Sequence, residues 1–419
     1  MIRKESNAGV GYSVVELDGV RHVFVAAAPR HGATIHEQAE DALGTIERLI
    51  KKEIAPGSIV MQSVFLRDLA DQAACLEIMR DFYGKELPAT TYISQPPCEG
   101  KLLAIEALGV GRGQGDVEIV RKGEHTVIAR HDGITWVHVA DIHCKNEGGS
   151  VYDRTISAFR LADQRLAAAG FRFEEVVRTW LYLGDITGME GQVQRYRELN
   201  RARTDFYRDL KFAAGLKPPG WAKQVFPAST GIGAEGKDVT ISCMAMRSDR
   251  PDAVLVPLEN PAQTSAYDYA HQYGSESPKF CRAMAVAVGD FATTFISGTA
   301  SITVSETRHL EDVRRQTLQT LDNIEALIAA DNFRAHGLAG FGATLGDLAL
   351  ARVYLKRHED YALARTICEA RLGELPTIYA VGDICRPELL VEIEGIAFCR
   401  RQGLEVVNLS LMHHNGQNM

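Results

Sequence analysis

Two glutamates, Glu392 and Glu394, stand two residues apart inside the apolar run VEIEGIA, 391–397. In a strand this spacing puts both carboxylates on one face and Val391 and Ile393 on the other. If water covers the acidic face, the pattern is that of an ordinary half-exposed strand. If another part of the chain covers it, Glu392 becomes a buried acid in a cleft. Burial and a neighbouring like charge both raise a carboxyl pKa, by up to roughly 3–5 units in full burial. A carboxyl still protonated near neutrality can deliver a proton.

Other residues could do chemistry, and each has a plainer reading. The string Gly231-Ile-Gly233-Ala-Glu-Gly236 matches GxGxxG, but it precedes a strand pattern and lacks the helix N-terminus that holds phosphates. It reads as a turn between strands. His138, His143 and Cys144 in HVADIHC suggest a metal, yet the spacing fits no common zinc pattern and a structural role is expected. Cys385 is a pocket wall before it is a nucleophile, because its only basic neighbour is Arg386. His413 and His414 belong to the tail. No GxSxG elbow is present.

The 419 residues carry a formal net charge of -8, with 46% hydrophobic and 24% charged residues. That composition is globular. The acidic balance and the absence of a Lys/Arg-rich block argue against nucleic acid. No apolar run approaches the roughly 20 residues that span a bilayer. The first residues, MIRKESNAGVGYSV, show no export signal. Eight scattered cysteines without a CxxC pair fit reduced thiols in the cytoplasm. An anionic substrate then needs a locally positive pocket.

One pattern occurs three times: strand pair, amphipathic helix, strand, second helix, strand. The first copy has strands over 12–17 and 22–27, a helix over 35–52, a strand over 58–66, a helix over 69–83 and a closing strand over 101–108. The second has strands over 126–130 and 135–140, a helix over 151–169, a strand over 176–183, a helix over 189–210 and a strand over 238–246. The third has strands over 281–288 and 294–302, a helix over 310–330, a strand over 348–355, a helix over 361–372 and a strand over 389–397. The expected division is 1–110, 120–247, a connector 248–279, 280–402 and a flexible tail 403–419. The fold class is α+β, each unit a mostly antiparallel sheet with two helices on one face. A bare sheet face is too large a patch to leave in water, so the three open faces should pack around a pseudo-threefold axis, with ligand clefts between units. Glu392 is unique to the third unit; Ala104 and Thr240 take its place in the other two. Gly298, within Ser297-Gly298-Thr299-Ala300-Ser301, is either a bulge or a floor over which a ligand approaches the backbone.

Several segments in one order carry a family likeness: RTWLYLGDI, RYRELNRAR, FPASTGIGA, ENPAQTSAYDYAHQYGSESPKFCRA, FISGTASI followed by ETRH, RVYLK and GDICRPELLVEIEG. The repeated unit resembles the Rid (YjgF-like) superfamily, whose fold is chorismate-mutase-like. From about Arg178 to Phe398 the chain resembles the chorismatases. The resemblance implies cleavage of the enolpyruvyl ether of chorismate, releasing pyruvate, without metal or cofactor. It puts the catalytic acid at Glu392 and pocket residues at Tyr273, Arg282, Gly298, Tyr354, Cys385 and Arg386. Thr299, Lys356 and Glu394 are further candidates beside them: Arg282, Arg386 and Lys356 to hold carboxylates, Glu394 to supply the like charge. Gly298 with Cys385 resembles the branch that forms hydroxybenzoate, not the dihydrodiol. Val304-Ser305 replaces the family's Gly-His, and Lys356 replaces an Arg. The first unit is expected as an addition to the family pattern, completing the ring within a monomeric chain. The alternatives are a Rid-type enamine or imine deaminase, against which the substrate-binding arginine is replaced by Thr90 and Ile378, and a non-catalytic binding protein that kept the fold.

Overall fold

Three runs of alternating apolar residues, each interrupted by two helices, become three six-stranded sheets of identical strand order. The computed structural model describes residues 2–7, 10–143, 149–213, 215–218, 220–269 and 276–402. The first sheet holds β1 (Ile2–Asn7), β2 (Val10–Leu17), β3 (Val20–Ala27), β4 (Gly57–Leu66), β5 (Ala89–Ser94) and β6 (Leu103–Arg112), ordered β1-β2-β3-β6-β4-β5. The second holds β7 (Val117–Arg121), β8 (Thr126–His131), β9 (Ile134–His143), β10 (Val176–Gly184), β13 (Ala228–Ala234) and β14 (Val239–Ser248), ordered β7-β8-β9-β14-β10-β13. The third holds β15 (Val254–Leu258), β16 (Ala283–Val288), β17 (Phe291–Ala300), β20 (Leu348–Leu355), β21 (Thr377–Val381) and β22 (Val391–Arg400), ordered β15-β16-β17-β22-β20-β21. Two short ribbons, β11 (Met189–Glu190) with β12 (Val193–Gln194) and β18 (Ile302–Thr303) with β19 (Glu306–Thr307), complete the strands. Each large sheet is antiparallel except at its last edge, where β5, β13 and β21 run parallel to β4, β10 and β20.

The helices are α1 (Ile35–Glu53), α2 (Gln72–Tyr83), α3 (Val151–Ala168), α4 (Arg195–Tyr207), α5 (Val313–Ile328), the short α6 (Ala330–Ala335) and α7 (Tyr361–Leu372). Thr34 and Ser150 cap α1 and α3, each within a capping box that satisfies free N–H groups of the first turn. The helices bury one face of each sheet, as α1 and α2 do with the first. Other faces meet: Phe65, Val137, Trp180, Phe295 and Tyr354, from all three sheets, share one buried cluster.

Four local expectations are corrected. The second helix of the second repeat begins at Arg195, not 189, because Gly191 at φ 64° turns the chain into the β11–β12 ribbon. The string Gly231–Gly236 is not a turn throughout: Gly231 and Gly233 lie within β13, and the turn comes at Gly236, φ 82°. The span 248–279 is not only a connector, since β15 within it pairs with β16. Each repeat also has an outer strand and a parallel edge strand beyond the four in the sequence pattern.

Register makes the repeats comparable residue by residue. Phe65 faces Ala104, Tyr182 faces Thr240, and Tyr354 faces Glu392. Two residues along, Ser63 faces Glu106, Trp180 faces Ser242, and Arg352 faces Glu394. The same register puts Thr91, one residue beyond the expected Thr90, at the position of Ile378.

These inner positions hold a buried polar network drawn from all three sheets. Arg352 donates to both carboxylate oxygens of Glu106 at 2.7 and 2.6 Å, to Tyr182 Oη at 2.8 Å and to Ser63 Oγ at 3.0 Å. Its Nη1 lies 3.2 Å from Glu394 Oε1. Glu394 also accepts from Arg178, from Thr230 Oγ1, from Trp180 Nε1 at 3.0 Å and from Tyr354 Oη at 3.1 Å. Two arginines and two glutamates balance one another, so this network carries no net charge. Replacing Arg352 by Met leaves Glu106 and Glu394 short of a shared cation. Urea unfolding should show a loss of about 3–5 kcal/mol.

Candidate active site

Glu392 sits on β22 with Ala300 of β17 and Tyr354 of β20 as cross-strand neighbours. Tyr354 is fully buried, and Glu392 itself is only 4% exposed. The small Ala300 leaves one side open to a cleft of about 230 Å³. The cleft lies between the second and third sheets. Its walls are one face of α4 (Tyr196, Asn200, Arg203), Ser229 and Gly231 of β13, and Gly298, Ala300 and Glu392 of the third sheet. Tyr269, Phe280, Arg282 and the 385–389 loop close it.

Gly298 explains itself here. A Cβ on this residue would stand 2.1 Å from Glu392 Oε1. The register of β17 against β22 slips between Ile296 and Thr299, so Gly298 lies in a bulge beside the acid. Its N–H donates to Thr230 Oγ1 at 2.9 Å, tying the bulge to the residue that also bonds Glu394. Gly231 plays a similar part on the facing wall, where a Cβ would meet the Tyr196 ring at 3.0 Å.

The two glutamates of the strand differ sharply. Burial raises Glu392 from 4.5 to about 8, and the Glu394 charge adds to this, while Arg178 and Arg282 pull the other way. Burial also pushes Glu394 upward, but Arg178 and Arg352 overcome it and hold Glu394 below its ordinary range. Glu394 is therefore a carboxylate at neutral pH and Glu392 a neutral acid.

Positive charge lines the same cleft. Arg203 and Arg282 are buried, and the Nε of each has no hydrogen-bond partner among the described residues. Arg203 donates to Ser229 Oγ at 3.3 Å and Arg282 to Tyr269 Oη at 2.6 Å, which leaves both guanidinium groups fixed. Arg386 donates to the Ser305 carbonyl at 2.9 Å and lies over the Tyr269 ring. Burial, followed by the nearby Glu392, pushes the Cys385 thiol up to about 12, so it is a neutral wall group.

The structure thus brings Glu392, Arg282, Gly298, Cys385 and Arg386 around one cleft. Four expected pocket residues lie elsewhere, and these are corrections. Glu394 and Tyr354 are consumed in the three-sheet network. Thr299 is buried, its hydroxyl on the Ser297 carbonyl. Lys356 pairs with Asp383 at 2.9 Å and the Pro387 carbonyl at 2.8 Å, so it braces the 383–387 loop instead of facing a substrate. Tyr273 and Cys144 lie outside the described residues. His138 and His143 do not enter the cleft, and His143 stands 3.8 Å from Asp141. Val304 and Ser305 do not line it either; Val304 is exposed, and Ser305 offers its backbone carbonyl to Arg386. The replacement of the family's Gly-His by Val304-Ser305 therefore reaches the cleft only through the Ser305 carbonyl on Arg386. Sequence reasoning missed Tyr196, Asn200 and Arg203, although their i, i+4, i+7 spacing marks one helix face.

Comparison with known proteins rests on this geometry. The family model described as chorismatase FkbO/Hyg5-like, N-terminal, matches residues 112–245. A 3-hydroxybenzoate synthase of Streptomyces hygroscopicus is 35% identical over 277 residues, which span 63% of this chain and 76% of that protein. The chain belongs to the chorismatase family. A chorismatase of Streptomyces rapamycinicus is 34% identical over 275 residues, 64% of this chain and 77% of its own. A crystal structure of a chorismatase superposes with a TM-score of 0.63 at 25% identity, covering 89% of this chain and 98% of its own. Residues after 110 cannot supply that coverage alone, so the likeness to the solved chorismatase reaches into the first sheet. The expectation that the first unit is an addition to the family is corrected accordingly.

Two predictions follow from the site's physics. Glu392 keeps its proton in the folded state up to about pH 8, while the unfolded chain releases it near 4.5. The group therefore favours folding fully below pH 4.5 and loses that contribution as pH rises to 8. Glu392→Gln should match the wild type in urea at pH 4 and exceed it by on the order of a few kcal/mol at pH 8.5. Gly298→Ala should force the Glu392 carboxyl off its position, visible as a changed rotamer in a crystal structure of the variant.

Proposed function

We propose that this chain cleaves the enolpyruvyl ether of chorismate, or of a close analogue, to release pyruvate. The observation that carries the reading is Glu392: a buried, neutral carboxyl at the wall of a cleft that also holds fixed arginines. An enol ether is cleaved after protonation of its methylene carbon, which needs such an acid. The names of the relatives, chorismatase and 3-hydroxybenzoate synthase, support the substrate.

Arg203 and Arg282 take the two substrate carboxylates, each offering an Nε donor that has no partner among the described residues. Arg386 and Tyr269 close the mouth of the cleft. Glu392 delivers its proton to the methylene carbon and becomes a carboxylate beside the oxocarbenium ion that results. Water added to that ion gives a hemiketal, which breaks down to pyruvate and a dihydroxycyclohexadienoate. Capture by the neighbouring ring hydroxyl gives a cyclic ketal and returns a proton to the Glu392 carboxylate. Loss of a ring C–H proton with cleavage of one ring C–O bond then makes the ring aromatic. The hemiketal left on the other oxygen takes up a proton and breaks its C–O bond to give pyruvate and a hydroxybenzoate, with no net water consumed. Gly298, Cys385 and the name of the 3-hydroxybenzoate synthase relative favour the second route. Glu394 acts through Glu392: its charge disfavours ionisation of the acid.

The three units form a Rid-like pseudo-trimer within one chain, divided at 1–110, 120–247 and 280–402, and the chain works as a monomer. The shared strand order and the three-sheet network support this arrangement. The seven described cysteines are unpaired, which suits the cytoplasm. No described helix is long and apolar enough to cross a membrane.

Purified protein incubated with chorismate should release pyruvate, with a hydroxybenzoate as co-product by mass spectrometry. Glu392→Gln should lower kcat by roughly 10²–10⁴-fold. The wild-type kcat should fall above pH about 8, where Glu392 loses its proton. No pyruvate from the wild type, or undiminished release by the variant, contradicts the reading.

A further inference from the structure

The three sheets enclose a second space that shares no lining residue with the cleft. It is a chamber of about 70 Å³, room for several non-hydrogen atoms. Its walls are apolar and aromatic, with Phe24 from the first sheet, Trp136 from the second, and Phe295 and Phe398 from the third. Trp136 and Phe295 meet edge to face across two sheets, ring centroids 5.9 Å apart.

Three imidazoles interrupt this apolar lining: His22, His131 and His138. His22 and His131 come from different sheets and touch edge to face at 5.1 Å. His22 Nε2, His131 Nε2 and His138 Nδ1 are all buried without a hydrogen-bond partner among the described residues. A buried polar atom left in this condition is unfavourable, and three around one cavity point to a molecule that would satisfy them. Burial holds His22 and His138 down at about 3 and His131 at about 4, so all three are neutral at pH 7. They offer no charge to an anion. At the rim stand Asp18 and Asp132, and both pair with Arg250, which leaves that cation no freedom to draw an anion in. The occupant is therefore uncharged. Aromatic walls favour a ring. A neutral imidazole nitrogen can either donate to or accept from a hydroxyl.

We propose that the chamber is a binding site for a small neutral aromatic alcohol of the phenol type, its ring among Phe24, Trp136, Phe295 and Phe398 and its hydroxyl on the histidine nitrogens. The site is separate from the reaction in the cleft, whose aromatic products carry a carboxylate, and it stands or falls independently of the proposed activity.

Crystals of the intact protein soaked in 4-bromophenol test this without any variant. The bromine's anomalous signal should lie in the chamber, with the hydroxyl within hydrogen-bond distance of His22, His131 or His138. In calorimetry, phenol should bind one per chain and about tenfold more tightly than toluene, which lacks the hydroxyl. His138→Leu should bring phenol down to the affinity of toluene while pyruvate release persists. A chamber holding only water after the soak, or toluene binding as tightly as phenol, overturns the proposal.

Discussion

The paired charges where the three sheets meet constrain everything else. Glu106 comes from the first sheet, Arg178 from the second, and Arg352 and Glu394 from the third. Charges this deep are tolerable only in balance, because one unpartnered ion in an apolar interior is strongly destabilising. The balance has a chemical consequence. Arg178, the cation of the group that pulls on Glu392, is already engaged by Glu394 and Thr230. Glu392, two residues away, is raised first by its own burial and then by the Glu394 charge, against the pull of Arg178 and Arg282, and it keeps its proton. One network thus joins the sheets and adds its like charge to the burial that keeps the acid neutral.

The three seams between sheets are alike in design and different in content. Thr91 of β5 bonds Ser242 of the second sheet at 2.6 Å, and Thr230 of β13 bonds Glu394 of the third. The corresponding residue of β21, Ile378, has no hydroxyl to offer. Register places Ala104, Thr240 and Glu392 at one equivalent position, so only the third closing strand carries an acid there. A cleft also opens between the third and first sheets, lined by Ala104 and Ile378, where nothing at the equivalent position can give a proton. The chain keeps three copies of a scaffold and places a buried acid at this position in one of them.

Much of this was legible in the residues. The central strands share an apolar stretch ending in Phe65-Leu66, Tyr182-Leu183 or Tyr354-Leu355, and their neighbours alternate at period two, so the repeats and the singular Glu392 could be aligned by pattern. The outer strands were not legible. Val117–Arg121 is only five residues long and follows the Gly-rich stretch 109–115, which reads as a joint, and Val254–Leu258 lies in a Pro-containing stretch that reads as a connector. The cleft wall on α4 was hidden for a related reason. Tyr196, Asn200 and Arg203 make a polar helix face, and a polar face normally means solvent. Only tertiary packing against β13 and the third sheet turns it inward. Glu394 shows the opposite failure: period two correctly put it on the face of Glu392, but strand geometry cannot say that Arg178 and Arg352 would claim it from other strands. Lys356 likewise looked like a carboxylate ligand until Asp383 was seen to occupy it.

The most direct test is the pH dependence of pyruvate release from chorismate by Glu394→Gln beside the wild type. That substitution removes the like charge and frees Arg178, and both changes favour ionisation of Glu392. The alkaline limb of the variant should shift by at least about one unit toward lower pH. An alkaline limb that stays where the wild type has it would contradict the claim that the Glu394 charge holds the acid protonated beyond what burial alone achieves.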